Sequence, residues 1–359
     1  MRFLRQWVDP FVVGLVAMLL AGLVIPFAPG ALTALDHLAI GAVAILFFFY
    51  GARLQTRDVI NGLRHWRLQG LILAITFLAF PLAGLALRAL STPLVGHEFA
   101  AGILFITLLP STVQSSVAMV SVAHGNVPGA ICGATVSNIL GMLLTPALVI
   151  AFMSSIVTGD ANSSASTPYA LPGTYPTSAL AAGLGAGQRI LLGLLAPFVA
   201  GQIAGRWIGP WVRAHQPWTQ KWDQGTILLL VLGAVASATA SGTWDRVTPG
   251  VILIIIAICT GLLALVLAGT WLGGRHLRFP REDRITLLFC GSTKSMATGL
   301  PIAAVVFPAA MLGPIAVPVI IYHQIQLMVI SVIARRLSAQ SLSAQYRSAQ
   351  NLSGRRFSA

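Results

Sequence analysis

Charge is scarce in this chain. Of its 359 residues only 9% are charged and 56% are hydrophobic, whereas soluble domains carry about 25% charged residues. A soluble fold of this length needs charge to cover its surface, so the deficit points to a chain dissolved mostly in lipid. Acidic residues number nine, and none falls in the middle of an apolar run; lysine occurs twice, as Lys221 and Lys294. The three cysteines, Cys132, Cys259 and Cys290, lie inside apolar runs without metal-ligand spacing or a paired framework, and read as small buried residues. Soluble-enzyme motifs are missing: no phosphate-binding glycine loop with Lys-Ser/Thr, no His-Glu-x-x-His, no nucleophile elbow. No loop is long enough to hold a nucleotide domain, which excludes an ATP-driven pump. Neither an enzyme nor a cofactor is expected.

What is present is a series of apolar runs. A spanning helix needs about 20 largely apolar residues, and ten runs qualify: 10–27, 36–52, 68–89, 97–122, 127–153, 188–208, 224–241, 249–273, 285–307 and 311–334. The first follows Arg2 and Arg5 as a signal peptide would. It ends in Ile25-Pro26-Phe27-Ala28-Pro29 without an Ala-x-Ala-type site, so it is read as a membrane helix. The net charge of +13 does not form a compact basic face and is not read as a nucleic-acid site. Topology explains it better. Of 22 Lys and Arg, 18 fall on one side of the spans: Arg2, Arg5, Arg53, Arg57, Arg64, Arg67, Arg206, Arg213, Lys221, Arg275, Arg278, Arg281, Arg284, Arg335, Arg336, Arg347, Arg355 and Arg356. The positive-inside rule then puts both termini in the cytoplasm of a multi-pass inner (plasma) membrane protein.

Residues 154–187, rich in Ser, Thr, Gly, Pro and Ala and free of basic residues, read as a flexible external linker. They divide the chain into a first five-helix repeat (1–153) and a second (188–336). An odd number of spans per half forces opposite orientations, the topology of inverted-repeat transporters. Traces of the repeat survive. Asp9-Pro10-Phe11-Val12-Val13-Gly14 opens the first half, Ala196-Pro197-Phe198-Val199-Ala200-Gly201 recurs in the second, and Ser111-Thr112 pairs with Ser292-Thr293. Residues 337–359, without an apolar stripe, are expected to be a disordered cytoplasmic tail.

Spans four and nine are each the fourth of their half, and each mixes helix breakers with hydroxyls. The runs are Leu109-Pro110-Ser111-Thr112-Val113-Gln114-Ser115-Ser116 and Cys290-Gly291-Ser292-Thr293-Lys294-Ser295-Met296-Ala297-Thr298-Gly299-Leu300-Pro301. Unwound backbone in a membrane leaves polar groups unpaired at several kcal/mol each, and survives where it lines a polar cavity. Its carbonyls and half-helix ends can hold ions and charged substrate groups. Small hydroxyls also serve plain helix packing; the mirrored clusters favour a site. Lys294 is the only basic residue deep in a span, where an unpaired charge costs about 2.5–3.5 kcal/mol on insertion scales. It must be held by carbonyls and hydroxyls, pair with an anionic substrate, or be neutral for part of a cycle; it can equally be a structural ammonium. Thr135, Ser137 and Asn138 of span five can complete the pocket. His323, Gln324 and Gln326 of span ten, after Tyr322, are weaker candidates, and Asn126, before Pro128, looks like a helix cap.

These residues resemble the bile acid:sodium symporter superfamily, in particular its SBF-like branch. The likeness is carried by Leu109-Pro110-Ser111-Thr112-Val113, His124-Gly125-Asn126, Leu144-Thr145-Pro146, Ser292-Thr293-Lys294-Ser295 and Ile321-Tyr322-His323, within a match over nearly all of 10–336. The resemblance implies an all-α polytopic fold of ten helices in two inverted repeats, with a panel domain, a core domain, and broken helices four and nine crossing in the core. Sodium-coupled members hold two sodium ions behind that crossing. Here Ser116 stands for their span-four Asn, Ala130 and Ala134 for span-five hydroxyls, Ser292 for the Glu and Met296 for a second-site Gln. These departures argue against ordinary two-sodium coupling; Ser115, Ser116 and Ser292 are the remaining candidate sodium ligands.

The expected function is a secondary active transporter of a small organic anion in the lipid bilayer, coupled to Na+, to H+ or to neither. Its candidate substrate and ion site is Ser111, Thr112, Gln114, Ser115, Ser116, Thr135, Asn138, Ser292, Thr293, Lys294, Ser295 and Thr298. The alternative is a non-transporting regulator or receptor on the same fold. Substrate identity and oligomeric state are not legible.

Overall fold

The computed structural model describes residues 10–53, 65–158, 191–242, 244 and 247–356. Their regular structure is helical, with no strand among the described residues. The helices are α1 (Pro10–Val24), α2 (Pro29–Arg53), α3 (Trp66–Ala74), α4 (Phe80–Leu108), α5 (Gln114–Val122) and α6 (Val127–Thr158), then α7 (Ala196–Ala214), α8 (Gln216–Ala240), α9 (Pro249–His276), α10 (Arg281–Ser292), α11 (Met296–Val306) and α12 (Ala309–Arg356). Wide π-helical turns, Ile75–Ala79 and Leu191–Leu195, join α3 to α4 and lead into α7. Six stretches are long and apolar enough to cross a bilayer: Pro29–Arg53, Trp66–Leu108, Val127–Met153, Gln216–Ala240, Pro249–His276 and Met311–Gln340. Leucines and isoleucines such as Leu38, Leu82, Leu94, Leu253 and Leu265 are exposed on their outer faces, as lipid contact requires. Trp66, Trp207, Trp211 and Trp218 are at least half exposed and sit beside Arg67, Arg206, Arg213 and Lys221. Exposed indoles beside basic side chains are what a membrane–water boundary favours.

Several sequence expectations shift. Spans three and four meet without a long loop: two helices join at Gly96, whose backbone (φ 83°, ψ 163°) is not helical. A left-handed turn of that kind is cheap only without a Cβ. The expected basic loop after span six shrinks to His215, because Pro217 starts α8 in its first turn. The chain does not lose its helix at 337. α12 continues to Arg356, and 337–356 holds no proline and mostly helix-tolerant Ala, Ser, Gln, Leu and Arg. Most of the expected 154–187 linker lies outside the described residues.

The helices form two groups. In one, α2 packs along α7 and α1 along α8; in the other, α4, α9 and α12 surround the short helices α5, α10 and α11. α8 joins the groups along α12. The α2–α7 contact is backbone to backbone. A Cβ at Gly51 would run into the Phe198 carbonyl, and one at Gly201 into the Phe48 carbonyl. Small residues permit this approach, which supplies van der Waals contact where lipid offers no hydrophobic drive. At the end of the same pair Arg53 grips Asp223 of α8 with two hydrogen bonds of 2.8 and 3.1 Å.

Candidate functional site: the crossing of two interrupted helices

Helix stops at Leu108 and resumes at Gln114; it stops again at Ser292 and resumes at Met296. Leu109 and Thr293 are both extended, at ψ 152° and 148°. The two gaps meet. The Ser295 N–H donates to the Pro110 carbonyl at 2.8 Å, one break hydrogen-bonding directly to the other.

Around this contact the hydroxyls satisfy one another. Thr293 Oγ1 lies 3.1 Å from Ser111 Oγ, 3.1 Å from Thr112 Oγ1 and 2.7 Å from Ser116 Oγ. Ser111 Oγ donates to the Cys290 carbonyl at 2.7 Å, and Ser115 Oγ donates to Thr112 Oγ1 at 2.7 Å. Ser111, Thr112, Ser116 and Thr293 are all buried. A second cluster, with Ser295 and Thr298 buried and Asn138 half-buried, lies at the start of α11. Ser295 Oγ caps it by accepting from the Thr298 N–H at 3.2 Å, and Thr298 Oγ1 donates to Asn138 Oδ1 at 2.8 Å.

Lys294 points into the protein, 2% exposed. Its ammonium donates to the carbonyls of Leu109 at 2.7 Å, Thr107 at 2.9 Å and Thr76 at 3.0 Å, and lies 3.9 Å from the centre of the Phe80 ring. All three N–H donors are thereby used. Each acceptor is free for a backbone reason. Thr107 and Leu109 lie at the C-terminal end of α4, where carbonyls run out of helical partners and the helix dipole is negative. The Thr76 carbonyl sits in the π turn: the Phe80 N–H goes to Ile75 instead, and Pro81, next in line, has no N–H. Hydrogen bonds to a charged group contribute about 1.5–3 kcal/mol each and a desolvated cation–π contact about 2 kcal/mol, which together offset part of the cost of burying one charge.

The backbone of Lys294 is held as firmly as its side chain. Gln326 Oε1 accepts from the Lys294 N–H at 2.9 Å, and Gln326 Nε2 donates to the Lys294 carbonyl at 2.8 Å. The remaining amide hydrogen reaches His323 Nδ1 at 2.9 Å, so that nitrogen must accept and the ring proton sits on Nε2. Tyr322 donates to the Ser292 carbonyl at 3.1 Å. The first break has matching supports: the Ser111 N–H donates to Ser137 Oγ at 3.1 Å, and Thr145 donates to the Leu108 carbonyl at 2.8 Å.

Among the candidates read from sequence, Ser111, Thr112, Ser115, Ser116, Thr293, Lys294 and Ser295 gather at the crossing, with Thr298 and Asn138 adjoining. Three do not join the network. Ser292 turns its hydroxyl back to the Leu288 carbonyl at 2.6 Å; Gln114 is exposed and Thr135 half-buried, and neither is hydrogen-bonded to the crossing. Thr76, Thr107, Phe80 and Thr145 were missed as site residues, and Gln326 was underrated. Asn126 is the expected cap: its Oδ1 accepts from the Gly129 N–H at 2.9 Å, while its Nδ2 donates to Asp283 at 2.7 Å and ties α6 to α10. Among the described residues no cluster of His, Cys, Asp or Glu could hold a metal ion.

A lipid-facing, all-helical bundle with a polar crossing of two interrupted helices inside it defines a polytopic membrane protein. Comparison with known proteins narrows the class. The pattern of the SBF-like CPA transporter family matches residues 9–339, and the chain belongs to that family. An uncharacterized protein of Pseudomonas aeruginosa is 40% identical over 329 residues, 91% of this chain and 92% of that protein. A protein of Escherichia coli named "Putative symporter YfeH" is 36% identical over 333 residues, 93% and 94% of the two chains. Sodium/bile acid cotransporter 7-A of Xenopus laevis is 25% identical over 338 residues, 92% and 91%. The chain is accordingly a transport protein of the bile acid:sodium symporter type rather than an enzyme.

Proposed function

We propose that this protein is a secondary active transporter of a small organic anion, working by alternating access at the crossing of the breaks at 109–113 and 293–295, and that the Lys294 ammonium takes the place of a coupling sodium ion. The observation that carries this reading is the seat of Lys294 Nζ on the carbonyls of Thr76, Thr107 and Leu109. Three carbonyl oxygens at 2.7–3.0 Å, with no carboxylate, suit one desolvated monovalent cation, and the chain supplies it. Coupling is then to protons or absent. The candidate sodium ligands fit this reading: Ser116 is bound to Thr112 and Thr293, and Ser292 to its own helix.

With its donors used, Lys294 does not bind the substrate directly. The anion is held around the N-terminal ends of α5 and α11, whose dipoles favour negative charge, beside Gln114, Thr135, Asn138 and Ser295. Two inverted five-span halves, with ten spans and both termini cytoplasmic, agree with the paired supports. In each half the unwound segment has an N–H accepted, and its helix a carbonyl capped, by side chains of the following long helix: Ser137 and Thr145, then Gln326 and Tyr322. The α1, α2, α7, α8 group would be the panel against which the core moves.

Uptake of organic anions into proteoliposomes, with and without a sodium gradient at fixed pH, tests the reading. Uptake that needs the sodium gradient sinks it. Lys294→Ala should abolish uptake or make it sodium-dependent; uptake identical to that of the unsubstituted protein refutes the role of the ammonium.

A further inference from the structure

The C-terminal end of α9 carries charge that the transport reading leaves unused. A groove of about 660 Å³ is lined there by Leu272, Gly273, Arg275, His276 and Arg278. All three basic side chains are exposed. Among the described residues none of them has an ion pair or a side-chain hydrogen bond; the ion pair present is Arg53–Asp223. Neighbouring cations are engaged: Arg284 stacks over Trp271 at 5.1 Å, Arg67 over Phe279 at 5.7 Å, and Arg281 donates to the Leu337 carbonyl at 2.9 Å. Of the nearby carboxylates, Asp283 is taken by Asn126, and Glu282 pairs with none of the groove cations.

Arg278 also stands where glycine is the strain-free choice. It adopts φ 56° as the chain leaves α9, with its N–H donating to the Arg275 carbonyl at 3.1 Å and the Phe279 N–H to the Gly274 carbonyl at 3.0 Å. That is the closing turn of a helix, in which a side chain is a cost. Below the groove, Leu272 (61% exposed) and Leu265 (64% exposed) lie seven residues apart on one face of α9 and continue it toward the bilayer interior.

We infer that this groove binds an anionic phospholipid, with Arg275, His276 and Arg278 on the headgroup phosphate and one acyl chain along Leu272 and Leu265. Charge complementarity selects the occupant: unpaired cations at the rim of an apolar track match a lipid that is anionic at its head and apolar below. The inference rests on the basic end of the bundle lying at the membrane surface.

Melting of the purified full-length chain in neutral detergent tests it, with added short-chain phosphatidylglycerol, short-chain phosphatidylcholine or inorganic phosphate. Phosphatidylglycerol should raise the melting temperature, and the other two should not. Each arginine removed should weaken that response about fivefold, so Arg275→Gln with Arg278→Gln should nearly abolish it. Arg278→Gly guards against simple misfolding: it should melt above the unsubstituted protein without lipid and still respond less to phosphatidylglycerol. An undiminished response in the double variant, or an equal response to phosphatidylcholine, overturns the site. An equal response to phosphate makes it a soluble-anion site and also overturns it. The readout is binding, so its failure leaves the transport reading standing, and the reverse.

Discussion

Lys294 Nζ lies 2.7 Å from the carbonyl oxygen of Leu109, so a charge anchored at one helix break is bound to the backbone of the other. With the Ser295 to Pro110 hydrogen bond, the crossing is joined through main-chain groups that substitution at those four positions leaves in place, and through one side chain that substitution removes.

Lys294→Met, similar in length but uncharged, should strand three carbonyls in a dry interior, at about 1–3 kcal/mol each. The expected result is a sharply lower melting temperature and folded yield, read by fluorescence-detected size exclusion after heating. Lys294→Ala leaves space at the same oxygens, and sodium should raise its melting temperature relative to choline while leaving the unsubstituted protein unaffected. Indifference of the alanine variant to sodium would mean that the seat is not a cation site.

Gln326→Leu removes both hydrogen bonds to the Lys294 backbone and should destabilise by about 2–3 kcal/mol. Gln326→Glu should do no better. A carboxylate still accepts from the Lys294 N–H but cannot donate to the Lys294 carbonyl or to His323 Nδ1. Thermal melting of the two variants side by side checks the donor requirement.

Thr293→Val keeps the shape and deletes the hydroxyl that meets Ser111, Thr112 and Ser116. A loss of about 1–3 kcal/mol is expected, with a fall in uptake; Thr293→Ser, which keeps Oγ, should retain most of both. Equal behaviour of the two variants in proteoliposomes and in melting would remove the hydroxyl network from the mechanism.

Gly201→Ala and Gly51→Ala should each push α2 and α7 apart and lower the melting temperature, because the new methyl meets backbone that cannot rotate away. Gly225→Ala and Gly261→Ala, with nothing within 4 Å of a new Cβ, serve as controls. They should be neutral or stabilising by up to about 1 kcal/mol through helix propensity. Melting of all four decides whether close backbone approach matters.

Much of this was legible in the residue order. Apolar runs gave the helices, because lipid forbids unpaired backbone outside them, and Pro110 with the mirrored hydroxyls marked where two of them fail. For Lys294 the sequence left several possibilities open, and the structure sets its ammonium against three backbone carbonyls. Thr76 carried no visible signal, since its carbonyl is freed by a local change of helix pitch. The clue in hindsight is Pro81, five residues on. Tyr322 and Gln326, four apart on a buried face, both reach the second break, a pairing that their spacing alone does not distinguish from helix packing. The Arg53–Asp223 pair joins residues 170 positions apart and depends on which helices become neighbours. Absence of an apolar stripe speaks to exposure and not to helix, and α12 runs on to Arg356.

A cation carried on a side chain cannot diffuse away from its seat. Where a dissolved ion fills its seat in proportion to the surrounding salt, the ammonium proposed for this seat is tethered beside it by the fold. While the amine stays protonated, the crossing is assembled alike in fresh water and in brine, and its integrity is fixed at translation, not by the ionic strength of the habitat.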